Sequence, residues 1–347
     1  MNFINNIEIK NFKSIRHQTI EGCRKINVFI GYPNVGKSNI LEALSLMSYS
    51  TNIQFAPLQN LCRYEKLIEL FYDGDKKKDI EIATGENKFS IRFLNQNELD
   101  YLWSSQSQSL TTDNSKVSAG QIRNLRIDID GAVQILSPQD VDKLDYCVKK
   151  YLFKSGGFNV KANPVVLNMP FGDNLFEVIR YNLKLQDEVG ELLSDYNLTL
   201  HYDANENLKV VKRLSKYFSF EIPFNQIADT IQRLLFHKAA IETNEHSVLL
   251  FEEPEAHMFP PYIKKLTTDI LLDKTNQFFL ATHSPYVLDE LILDAGDNLS
   301  VYLVDYKDGE TIIHYLSSDD LSEIRQYGVD LFFNIESYLK HGQVNNS

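Results

Sequence analysis

Cysteine, positive charge and long apolar runs are all scarce in this sequence. Three cysteines (Cys23, Cys62 and Cys147) occur in 347 residues, with neither metal nor disulfide spacing. No disulfide framework is expected, and a reducing, cytosolic setting fits. Lysine and arginine number 35 against 47 acids, a net charge of −12. That argues against a broadly basic nucleic-acid surface, though not against a local groove. No run approaches the ~18 apolar residues of a membrane span, and residues 1–14 hold no apolar core of a signal peptide. Repeats and long low-complexity tracts are absent as well. What is present is core material, 43% hydrophobic and 12% aromatic, enough for one large or two ordinary domains.

One stretch organises the rest. Gly31-Tyr32-Pro33-Asn34-Val35-Gly36-Lys37-Ser38 reads G-x-x-x-x-G-K-S, a phosphate-cradling P-loop. Residues 26–30 before it form a mostly apolar run that predicts a buried strand. After it, Ile40, Leu41, Ala43, Leu44 and Met47 recur at helical spacing. Gly31 and Gly36 let the backbone curl with its amides inward, and the helix start adds partial positive charge. Lys37 is expected on the β- and γ-phosphates of ATP and the Ser38 hydroxyl on Mg²⁺. Asn34, Val35 and Asn39 complete the expected nucleotide contacts.

A second anchor lies far along the chain. Residues 248–251 (VLLF) predict a central parallel strand, and Glu252 and Glu253 follow at its end. Carboxylates there face the crevice where ligands of open α/β sheets bind. Glu252 is expected in the Mg²⁺ shell and Glu253 on the attacking water. A further buried strand, residues 277–281, ends in Thr282-His283-Ser284, which puts the His283 imidazole beside the same crevice, within reach of a γ-phosphate.

Between the anchors the pattern predicts strands at 67–72 and 79–84 joined as a hairpin, a polar loop at 104–120 and a short strand at 133–136. It then predicts a helix over 140–153, one long helix from about 175 to 196, and a hairpin at 198–202 and 208–212. Lys209, Lys212, Arg213 and Lys216 form the most concentrated basic patch. Helices are expected at 227–241, 260–272, from 286, and over 321–340.

In order, Asn11-Phe12-Lys13-Ser14, the P-loop, Glu252-Glu253-Pro254-Glu255-Ala256-His257 and Thr282-His283-Ser284-Pro285 resemble the ABC-class ATPases of the SMC/RecF/OLD group. Compact bacterial ATP-binding proteins described as AAA-domain ATPases are nearest in pattern. The resemblance covers residues 1–50 and 220–305 well and the middle weakly. It implies an α/β P-loop fold with an ABC-like head: a mixed central sheet flanked by helices, an N-terminal antiparallel β lobe and a small helical and β insertion lobe. The corresponding division is 1–100, 101–220 and 221–347. It also implies Lys13 at the nucleotide, His283 as switch histidine, residues around His257 at a dimer face, and a head-to-tail ATP-sandwiched dimer. The trans signature motif would fall at Ala228, Asp229, Thr230 and Gln232, where the family's serine and a glycine are replaced. Gln54, Gln59 and Gln139 all remain candidates for the Q-loop glutamine.

The 64 residues after His283 show no Toprim-like acidic cluster, and no stretch sustains coiled-coil heptads. The expectation is an ATPase, slow if the altered signature matters, that regulates a protein effector (a nuclease or toxin, in antiphage defence) or acts in DNA repair. Two alternatives stand beside it: a non-hydrolysing ATP-binding scaffold, and a RecF-like DNA-binding protein using the Lys209–Lys216 patch.

Overall fold

The computed structural model describes residues 3–50, 57–85, 87–105, 121–128, 133–136, 147–203 and 208–344. The chain begins with strands β1 (Ile7–Phe12), β2 (Ile15–Ile20) and β3 (Ile26–Ile30), then helices α1 (Lys37–Leu46) and α2 (Leu58–Leu61). Strands β4 (Ile80–Thr84), β5 (Asn87–Asn95), β6 (Glu98–Ser105), β7 (Gln121–Asp128), β8 (Val133–Ile135) and β9 (Cys147–Tyr151) follow. Next come α3 (Leu175–Tyr181), α4 (Leu183–Ser194), β10 (Leu198–Tyr202), β11 (Leu208–Arg213), β12 (Ser219–Pro223) and α5 (Asp229–Glu242). The last third runs β13 (Ser247–Glu252), α6 (Pro260–Leu272), β14 (Gln277–Ala281), α7 (Pro285–Asp294), β15 (Leu299–Lys307), β16 (Glu310–Tyr315), α8 (Ser318–Tyr327) and α9 (Leu331–Val344).

The central sheet has the order β16-β15-β3-β14-β13-β9, parallel except for β16. Both its faces are covered. Val28, Ile30, Leu249, Phe251, Phe278 and Leu280 pack into one apolar cluster, while Phe29, Val248, Leu250, Phe279 and Ala281 pack into the other. Successive side chains of a strand point to opposite faces, so strands buried on both sides read as unbroken apolar runs. The second cluster also takes in Ile40, Leu41 and Leu44 of α1 and the inner face of the N-terminal antiparallel sheet, order β2-β1-β4-β5-β6-β7-β8. Burying each large aliphatic side chain there is worth about 1.5–3 kcal/mol. The antiparallel strands β10, β11 and β12 form a third, small sheet.

Several expected elements take another form. Residues 67–72 are not a strand: Leu67–Leu70 is a short 3-10 turn, and only Phe71 bridges to Phe12. β4 instead pairs with β1 and β5. The expected helix at 140–153 is corrected at its end, where β9 lies parallel to β13 with Val148 opposite Val248 and Tyr151 opposite Phe251; sheet pairing overrides local pattern there. The long helix of 175–196 is two. Asn182 interrupts it, and its side chain accepts a hydrogen bond from the Leu185 amide, starting α4 afresh. The terminal helix likewise divides at Gly328, whose φ of 61° closes α8. Most of the polar 104–120 loop lies outside the described residues. β7 and β8 extend the N-terminal sheet beyond residue 100. No helix among the described residues is long and apolar enough to cross a membrane.

Candidate nucleotide site

Strand register brings the two anchors together. Glu252 stands opposite Ala281 of β14, and Ala281 opposite Phe29 of β3. The chain ends of β13, β14 and β3 therefore open on one edge of the sheet, with the His283 loop between the P-loop and the two acids. A cavity of about 380 Å³ lies there, lined by Asn34, Gly36, Lys37, Ser38, Asn39, Arg63, Glu252, Glu253 and His283 among others.

The loop is shaped by glycine where the chain comes close to its neighbours. A Cβ on Gly31 would sit 2.2 Å from the Val304 carbonyl oxygen. One on Gly36, at φ 105°, would sit 2.1 Å from the Thr311 hydroxyl. Thr311 in turn clamps the loop. Its hydroxyl donates to the Val35 carbonyl (2.8 Å) and lies 2.7 Å from Ser14 Oγ, and Asn39 Nδ2 donates to the same Ser14 Oγ (2.6 Å).

Lys37 is buried, and its ammonium donates to the carbonyls of Gly31 (2.9 Å) and Tyr32 (2.8 Å). Burial pushes its pKa down to about 8, against the pull of Glu253 and Glu252. Glu253 has a left-handed backbone, φ 45°, held by its amide donating to Ala281 O at 2.8 Å. Its half-exposed carboxylate reaches to 3.6 Å from His283 Nε2. The imidazole is held below its ordinary pKa, first by burial and then by the Lys37 cation, with Glu253 opposing. Beneath the histidine, Glu255 is buried. Its Oε1 accepts from the Thr282 hydroxyl (2.5 Å) and the His283 amide (3.3 Å), and burial raises its pKa.

Glu252 carries two cations. Arg63 Nη2 lies 3.0 Å from its Oε1 and Lys150 Nζ 3.7 Å from its Oε2. Arg63 Nε also bonds Oε1 of the wholly buried Glu42 at 2.8 Å, and the other Glu42 oxygen takes the Lys13 ammonium. Sequence reasoning passes over Arg63, Lys150, Glu42 and Thr311. Glu42 stands among apolar helix residues with no pattern to mark it, and Lys150 is hidden by the helical reading of β9.

Not every expected residue reaches the cavity. Lys13 does not line it; its ammonium is committed to Glu42 and the Arg63 carbonyl. Gly31 and Val35 support the loop from behind. Ala228, Asp229, Thr230 and Gln232 lie elsewhere in the chain, at the start of α5. Gln59 and His257 line a neighbouring cavity of about 460 Å³ that shares Arg63, Glu252 and Glu253. Gln54 and Gln139 lie outside the described residues. In the basic patch, Lys209 is paired with Glu221 (2.7 Å) and Asp203 (3.4 Å).

The donors suit a hydrated Mg²⁺ with phosphates, which takes one or two protein oxygens rather than a full cage; Ser38 and Glu252 offer hard oxygen on the same cavity. Glycine at 31 and 36 lets the loop backbone pack against Val304 and Thr311, where a Cβ would clash.

Residues 3–221 match the family described as AAA ATPase domain, and residues 166–289 match that described as AAA domain, putative AbiEii toxin, Type IV TA system. The ATP/GTP phosphatase of Helicobacter pylori is 31% identical over 131 residues, 34% of this chain and 31% of that protein. The DNA replication and repair protein RecF of a Thermoanaerobacter species is 30% identical over 92 residues, 25% of each. The chain thus matches about a third or less of the length of either protein. Among solved structures, an SMC head bound to the C-terminal winged-helix domain of ScpA superposes with a TM-score of 0.51 at 14% identity. It covers 93% of this chain and 100% of that one. This likeness speaks for the fold alone.

Proposed function

The chain belongs to the family of AAA ATPase domains, and on that premise we propose that it binds ATP with Mg²⁺ at the edge of the central sheet and hydrolyses it to ADP and phosphate. The observation that carries the reading is the meeting of Lys37, Ser38, Glu252, Glu253 and His283 on one cavity. Lys37 and the loop amides would neutralise the phosphates. Ser38 and Glu252 would hold the metal, which supplies charge neutralisation at the transferring phosphoryl group. Glu253 would orient or deprotonate the attacking water, and His283 would hydrogen-bond the γ-phosphate. In this proposal two copies close head to tail over the nucleotide, α5 of one copy facing the nucleotide of the other. Closure would regulate a protein effector, a nuclease or toxin in antiphage defence.

A second reading, a non-hydrolysing scaffold, is favoured by the start of α5. The Thr230 hydroxyl already donates to the His257 carbonyl (2.8 Å), and Asp229 pairs with Arg233 (2.7 Å). Phosphate release and light-scattering mass, measured together for wild type and Glu253→Gln with ATP and Mg²⁺, separate the two. Turnover in wild type and a lasting ATP-dependent dimer in Glu253→Gln support the ATPase cycle. Hydrolysis by neither protein, with mass indifferent to nucleotide, supports the scaffold.

A further inference from the structure

We propose that Arg63 is a gate on the metal position: its guanidinium is bonded to Glu252 and has to leave that oxygen when Mg²⁺ arrives. This rests on the nucleotide reading above and adds to it a residue that competes with the cation. Both oxygens of Glu252 are engaged, Oε1 by Arg63 and Oε2 by Lys150. The two cations are held very differently. The Lys150 side chain is 2% exposed and also donates to the Leu61 carbonyl at 2.9 Å, so it is fixed in the wall. The Arg63 side chain is 69% exposed. Among the described residues its other side-chain anchor is Glu42, to which Nε donates, and that carboxylate is itself wholly buried and tied to Lys13. The planar guanidinium moves as one unit, so Nη2 leaves Glu252 when the exposed methylene chain changes rotamer and the whole group tilts about the Nε–Glu42 hydrogen bond. Its swing has room, because Arg63 borders both the P-loop cavity and the neighbouring one.

A guanidinium at 3.0 Å and a divalent cation cannot share one carboxylate oxygen without strong like-charge repulsion. Metal entry thus carries the cost of breaking one charge-assisted hydrogen bond. The neighbouring Glu42 keeps the loosened arginine near the site, so the exchange is local and reversible. The chain in this way holds Glu252 neutralised until metal and nucleotide come together.

The test compares the affinity for AMP-PNP with Mg²⁺ and in EDTA, by calorimetry, for wild type, Arg63→Gln and Arg63→Lys. By linkage the ratio of the two affinities reports the metal's own affinity for the nucleotide complex. Arg63→Gln is expected to raise that ratio about tenfold, the size of one charge-assisted hydrogen bond. Arg63→Lys, whose ammonium can still reach Glu252, stays near wild type. Glu252→Gln lowers the ratio in either background. An unchanged or smaller ratio in Arg63→Gln, with nucleotide still bound, overturns the gate and leaves the nucleotide site standing. A wild type that binds AMP-PNP in neither condition overturns both. A general structural role for Arg63 would shift both affinities together and leave the ratio alone.

Discussion

Two helix starts in this molecule are candidates to meet phosphate, and they are built on different lines. α1 begins at Gly36 with no acid in its first turn, and a buried lysine folds back over the loop before it. α5 begins at Ala228 with Asp229 in its first turn, so the positive end of its dipole already faces a carboxylate of its own. Its other polar groups are spent too: Thr230 on His257, and Gln232 on the Ile227 carbonyl at 2.9 Å. The contrast shows that a helix N-terminus is only a beginning. A phosphate site also needs a backbone that can come close, which glycine allows, and a cation not already neutralised.

The sharpest way to break this comparison is to remove the cation from α1. Lys37→Met is expected to weaken ATP binding by about a hundredfold or more, roughly 3 kcal/mol, within the range for truncating one partner of a buried charge pair. Calorimetric titration measures it, and a melting curve confirms that the variant is folded. If the affinity changes less than tenfold, the loop amides alone carry the phosphates, and α1 stands closer to α5 than the geometry implies.

A smaller and more diagnostic effect lies in pH. In the free protein burial pushes Lys37 down to about 8. Phosphates favour the ammonium, so its pKa is higher in the complex. The contribution of this group to affinity is therefore complete below about pH 8 and is lost as pH rises from there towards the bound-state value. ATP affinity should be flat below that point and fall by up to about tenfold per pH unit above it. Binding above pH 8 should take up a proton, read from calorimetry in buffers of different ionisation enthalpy. The profile of Lys37→Met should lose this limb. α5 has no lysine in its first turn, and substitutions there should leave the profile as it is.

The same contrast explains how much could be read before the structure. The P-loop and the double acid are local: a few consecutive residues fix the backbone shape and place the chemistry, and unbroken apolar runs mark the strands that carry them. The partners of Glu252 are not local. Arg63 and Lys150 reach it from 189 and 102 positions away in sequence, and Glu42 is an acid buried inside a helix that otherwise reads as apolar. No periodicity marks such residues, because their burial depends on cations supplied by other elements. Thr311 belongs to the same class, its role set by β16 lying against the β1–β2 turn. The breaks at Asn182 and Gly328 lay within reach of local rules, since both residue types end or restart helices. The apolar stripe that continues past each of them concealed the break.

The gentlest test concerns α5 itself. Asp229→Ser removes the carboxylate that answers the helix dipole and leaves a hydroxyl in its place. In a single chain the cost is about 0.3–0.5 kcal/mol for the lost pair with Arg233, a small fall in melting temperature. Nucleotide affinity at low protein concentration should change less than twofold, because none of these residues lines the P-loop cavity. If α5 of one copy faces the nucleotide of another, removing a like charge from that encounter should raise phosphate release by about threefold, as expected for a carboxylate at a helix start. The gain should appear only at protein concentrations where two copies meet. A gain independent of concentration would place α5 beside its own chain's nucleotide and erase the distinction between the two helix starts. No gain at any concentration would leave α5 outside the reaction, and the scaffold reading would take the stronger position.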